Sequence, residues 1–70
     1  MNSNLLKAQI VLKDKKVPNI AIDLGISKTS LYRKLNDKSE FTRSEIVRLI
    51  NILDIEKNSA IEIFFDDIVS

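Results

Sequence analysis

Only two strong helix breakers interrupt this chain of 70 residues, Pro18 and Gly25. Few breaks are therefore available, and helices are favoured over the many turns of an all-β fold. Pro18 suits the first turn of a helix, where a missing N–H costs nothing. Gly25 suits a helix end, because glycine takes the left-handed conformation cheaply.

The apolar spacing divides the chain into five helical segments. Leu5, Leu6, Ile10 and Val11, with Leu12, predict a first helix over about 4–13, closed by the charged run Asp14-Lys15-Lys16. Ile20, Ala21 and Leu24 form the stripe of a second helix, over about 18–24. Ser27 is a good N-cap for a third, over about 28–36, with Leu31 and Leu35 pointing inward. Asn36-Asp37 reads as a turn. Thr42-Arg43-Ser44-Glu45 has the spacing of a capping box. It opens a fourth helix, about 43–53, whose core face is Ile46, Leu49, Ile50 and Leu53. Asn58 or Ser59 caps a last helix, about 59–65, carrying Ile61, Phe64 and Phe65. Ile61-Glu62-Ile63 alternates for too few residues to make a strand. The expected fold class is all-α, a compact five-helix bundle forming one domain over residues 1–70.

Chemistry is limited by what is missing. Without cysteine or histidine there are no disulfides, zinc-finger ligands, thiolate nucleophiles or imidazole bases. With one glycine and no phosphate-cradling loop, an enzyme is not expected, nor a cofactor, a metal or a small-molecule ligand. Glu62, Asp66 and Asp67 read as a solvated acidic end rather than a cation site. No apolar run approaches the roughly 20 residues of a membrane span. The polar start Met1-Asn2-Ser3-Asn4 does not read as a signal peptide. A cytoplasmic setting is expected.

The net charge of +1 hides an asymmetry. Residues 13–43 carry eight cations against four acids, whereas residues 44–70 carry two against six. A basic middle joined to an acidic end suggests one face for a polyanion and another turned away from it.

The informative stretch is Val17 to Asn36, VPNIAIDLGISKTSLYRKLN. Two short helices meet at the turn Leu24-Gly25-Ile26, and Ala21 is small where they pass closest. Ile20, Leu24, Ile26, Leu31 and Leu35 point inward and lock the pair. Lys28, Thr29, Tyr32 and Arg33 remain on the outer face of the third helix, since positions i, i+1, i+4 and i+5 share one side. Hydroxyls, an amphipathic ring and two cations suit the edges of base pairs. Arg33 is placed for a bidentate contact with guanine, and Lys28 lies near a helix N-terminus that favours phosphate. Thr29 either reads a base or helps cap the helix. Tyr32 either touches a thymine methyl or covers the domain's own surface. Lys13, Lys15 and Lys16 read as a solvated helix end.

These residues, with Phe41-Thr42 beyond them, resemble the helix-turn-helix family of the lambda-repressor and Cro type. The match is to its phage-derived subset, with motifs such as GISKTSLYRKLN followed by F-T-x-x-E-I, and it covers about residues 5–65. The resemblance implies a DNA-binding domain with the third helix in the major groove. Lys28, Thr29 and Arg33 match its base-reading positions. Ser27, Tyr32 and Asn36 match positions that contact bases or phosphates, and Lys38 and Arg43 match positions along the phosphate backbone. The expected protein is a Cro-like phage or prophage repressor, a homodimer on a double-stranded palindromic operator.

Some positions depart from the family pattern. Val17-Pro18-Asn19 replaces a glutamine that braces the third helix, Lys34 replaces an apolar residue, and Asp37 replaces a common glycine. Asp37 and Glu40 also put negative charge near the expected phosphate path. The alternative is therefore a module of the same fold that binds and modulates a phage repressor protein. The apolar C-terminal group is dense for one short helix, so Ile61, Phe65, Ile68 and Val69 are candidates for a protein interface.

Overall fold

The structure, a computed structural model, describes residues 1–65 and is all-helical over that range. Five helices follow one another: α1 (Ser3–Leu12), α2 (Val17–Leu24), α3 (Lys28–Leu35), α4 (Arg43–Ile52) and α5 (Lys57–Phe64). There is no strand among the described residues.

Each helix start follows from its local sequence. Asn2 caps α1, its Oδ1 accepting the Leu5 amide at 3.1 Å. Pro18 occupies the first turn of α2. The Ser27 hydroxyl accepts the Ser30 amide at 3.1 Å and opens α3. At α4 both halves of the capping box form: Glu45 N–H donates to Thr42 Oγ1 at 3.2 Å, and Thr42 N–H donates to Glu45 Oε1 at 2.8 Å. The last helix departs from expectation. It starts at Lys57 with Glu56 as N-cap and no side-chain cap bond, not at Asn58 or Ser59. Starting there gives the amide of the buried Ala60 a partner, the Glu56 carbonyl at 2.9 Å, and a buried amide left without one costs more than a cap contributes.

Four of the helix ends share a device that Gly25 and the Asn36-Asp37 turn both advertise. After α2, Ile26 N–H donates to the Ala21 carbonyl at 3.0 Å across a left-handed Gly25 with φ of 71°. Equivalent six-to-one bonds close α1, α3 and α4: Lys15 to Ile10 at 3.1 Å, Lys38 to Arg33 at 2.8 Å, and Ile55 to Ile50 at 3.0 Å. In those three turns the left-handed residue is an aspartate: Asp14, Asp37 and Asp54. Aspartate tolerates that region better than most side chains, though less well than glycine.

Packing is layered around α1 and α2. Helix α3 packs on both of them, α4 packs on α2, and α5 packs on α1. The Asn2 amide donates to the Ile63 carbonyl at 2.6 Å, tying the start of α1 to α5. Leu6, Ile20, Leu31, Leu49, Leu53 and Ile63 are fully buried. Each buried aliphatic side chain contributes about 1.5–3 kcal/mol of transfer free energy.

Two expectations about the core need correction. On α1 only Leu6 and Ile10 are buried, while Leu5, Val11 and Leu12 are exposed. One helix can turn only a narrow stripe toward α3 and α5, and five apolar residues exceed it. Ile26, Ile46 and Ile50 lie at the margin of the core, partly buried against it. Of the two adjacent phenylalanines, Phe64 is buried and Phe65 is exposed at the helix end.

Candidate nucleic-acid interface

The turn after Gly25 sets the direction of α3, and the burial of Leu31 and Leu35 sets its rotation. Those anchors lie four residues apart, so they hold one face inward and turn the opposite one out. Lys28, Thr29, Tyr32 and Arg33 are all exposed. Among the described residues, their side chains enter no hydrogen bond or ion pair. The face is thus displayed without being used internally.

The residues expected along a phosphate path divide into two groups. Lys38 and Arg43 are exposed and uncommitted, Lys38 in the segment after α3 and Arg43 at the first position of α4. Ser27 and Asn36 each have an internal task. Ser27 Oγ caps α3, leaving its hydroxyl hydrogen to donate. Asn36 Oδ1 accepts from Lys7 Nζ at 2.8 Å, which leaves its amide nitrogen as the donor for an outside acceptor. Lys7, 29 positions away in sequence, is therefore brought to the C-terminal end of α3. No spacing rule points to it.

Lys34 behaves differently from its neighbour Arg33. Its ammonium turns inward, 2.6 Å from Glu45 Oε1 and 5.8 Å from the centre of the Phe41 ring. Glu45 is 8% exposed, the only buried charged residue among those described. Burial by itself pushes its carboxyl up. The Lys34 ammonium and the Thr42 amide outweigh that effect and hold it below the usual carboxylate value. Beyond the other end of α4, Lys13 Nζ donates to the Asp54 carbonyl at 3.2 Å, so Lys13 also serves a helix terminus instead of standing wholly in solvent.

Beside this face lies an apolar groove of about 340 Å³, walled by Ile10, Val11, Val17, Leu35 and the Tyr32 ring, with Lys7 and Asn36 at its edge. Tyr32 thus borders both surfaces, and both openings on its role, base contact and cover for the domain, remain compatible with its position. Asp37 and Glu40 line a separate hollow of about 440 Å³ with Met1, Phe41 and Phe64. Of the candidate protein-interface residues, Ile61 is half-buried and Phe65 is exposed. Ile68 and Val69 lie outside the described residues.

Among the described residues, no group of three or more acidic, His or Cys side chains could hold a metal ion. No described helix is long and apolar enough to cross a membrane. Comparison with curated proteins and with solved structures gives no match. A family model does match, over residues 2–67, and the chain belongs to that family, described as Protein of unknown function (DUF739).

Proposed function

We propose that this chain is a sequence-specific DNA-binding transcriptional regulator, a helix-turn-helix domain resembling the lambda-repressor and Cro type. The observation that carries this reading is the outer face of α3, where Lys28, Thr29, Tyr32 and Arg33 stand exposed and without internal partners. Arg33 presents a planar fork to guanine O6 and N7, and Thr29 and Tyr32 supply a hydroxyl and a ring for neighbouring base edges. Lys28, at the first position of α3, reaches a base or phosphate near the helix N-terminus. Lys38 and Arg43 supply the phosphate-side charge, with Ser27 and Asn36 as lesser donors.

The described residues hold one such helix and span 31 Å at their longest. Two half-sites about 34 Å apart therefore call for two copies, a homodimer on a palindromic operator. Repression follows from occupancy of a promoter, as in a phage or prophage regulator acting in the bacterial cytoplasm. The test is a gel-shift titration against the upstream intergenic DNA at about 50 and about 200 mM salt. Saturable, salt-sensitive binding that resists competitor DNA and weakens in Arg33→Ala supports the reading. Absence of a shift at micromolar protein sinks it.

A second reading is favoured by the groove beside Tyr32 and by Asp37 and Glu40, acids on either side of Lys38 in the chain. Here the same domain binds a phage repressor protein and modulates it. Apolar packing of that kind responds little to salt, whereas neutralising several phosphates gives a steep dependence.

A further inference from the structure

Resting on the DNA-binding reading, we propose that Lys34 and Glu45 are positioning residues, whose ion pair sets where Lys38 and Arg43 stand relative to the base-reading face of α3.

One carboxylate oxygen gathers both ends of the connection between α3 and α4. Glu45 Oε1 accepts from Lys34 Nζ at 2.6 Å, on the last turn of α3, and from the Thr42 amide at 2.8 Å, immediately before α4. Lys38 lies within the segment so closed, and Arg43 follows its far end. The Phe41 ring, within the same segment, lies beneath the ammonium, 5.8 Å from it to the ring centre. The pair is sheltered, with side-chain exposures of 14% for Lys34 and 11% for Glu45. A sheltered, mutually neutralised pair attracts phosphate little, so Lys34 does not act as one more backbone cation. Its effect on DNA passes through the placement of Lys38 and Arg43. Phosphate contacts fix register on the duplex, so a shift there also degrades the docking of Arg33.

Electrostatics alone and positioning predict opposite signs for one variant. Glu45→Gln removes a negative charge from a DNA-binding protein, which by charge alone strengthens binding. A positioning role predicts the reverse. The experiment measures affinity for the operator across a salt series, using wild type, Glu45→Gln, Lys34→Met, their double variant and Lys34→Arg. Circular dichroism confirms folding at the assay temperature, and amide NMR shifts of residues 37–43 are recorded without DNA. We expect Glu45→Gln and Lys34→Met each to bind about tenfold more weakly, with the salt slope reduced by roughly one phosphate. The double variant should be no worse than either single one, Lys34→Arg should bind as wild type, and the shifts at 37–43 should move in the weakened variants. Unchanged or tighter binding by Glu45→Gln overturns the proposal while leaving the DNA reading intact. Should Lys34→Met fail to fold, Glu45→Gln and Lys34→Arg decide between the two signs. A wild-type protein that binds no operator removes both the reading and this inference.

Discussion

Lys34 and Glu45, eleven residues apart, meet at 2.6 Å in a sheltered contact that joins the last turn of α3 to the first turn of α4. The same Glu45 oxygen completes the α4 capping box. One side chain thus serves a local helix start and a tertiary link together, and its loss affects both. Glu45→Gln keeps an acceptor for the Thr42 amide but loses the charge. It should destabilise the fold by about 1–2 kcal/mol, read as a lowered urea midpoint at neutral pH.

The pH dependence of that difference has a definite sign. Attraction to Lys34 and the Thr42 amide holds the folded Glu45 carboxyl below its ordinary value despite burial. The folded state therefore binds this proton less readily than the unfolded chain does. The associated stability is complete above the unfolded value, about 4.3, and is lost as pH falls through the folded one. The gap in urea midpoint between wild type and Glu45→Gln should narrow from about pH 7 to about pH 3. A gap that widens toward acid would contradict the ion pair.

The four helix ends offer a paired test. A Cβ at Gly25 would meet no atom within 4 Å, so only the left-handed backbone, φ 71°, resists a side chain there. Gly25→Ala should lower stability by about 1–2 kcal/mol through strain alone. Asp54→Gly is the converse, relieving a left-handed aspartate at φ 48° and removing an acid from a helix C-terminus. It should stabilise by about 0.5–1 kcal/mol, raising Tm by a few degrees in thermal unfolding.

On the proposed DNA face, base and phosphate contacts should separate by their signatures. Arg33→Ala should cost about 1–3 kcal/mol on the preferred operator and relax specificity at one base pair. Arg43→Ala should weaken binding evenly across sequences and reduce the salt slope by about one. Competition binding with point-substituted operators distinguishes them. Equal loss on every operator by Arg33→Ala would remove its base-reading role.

Much of the fold was legible from local chemistry. The Thr42–Glu45 capping box, Ser27 as a cap, Pro18 in a first turn and Gly25 at a helix end all act within a few residues, where spacing alone determines reach. The outer face of α3 was legible as well, because Leu31 and Leu35 set its rotation. The start of α5 was not, because pairing the buried Ala60 amide with the Glu56 carbonyl overrode the cap preference of Asn58 and Ser59. Lys7 at Asn36 and Lys13 at Asp54 could not be foreseen either, since each contact spans elements with no common period.

By itself, the sequence determined five helices, most of their limits, and four exposed side chains on one face of the third. These follow from periodicity and capping, which are short-range. Only the tertiary structure decided that Lys34 turns away from the surface that Arg33 serves. An α-helix separates adjacent side chains by about 100°, and what stands opposite each of them depends on how the helices pack. For Lys34 the neighbours are Glu45 and Phe41, a carboxylate and a ring that the chain brings back only after closing the turn at Asp37.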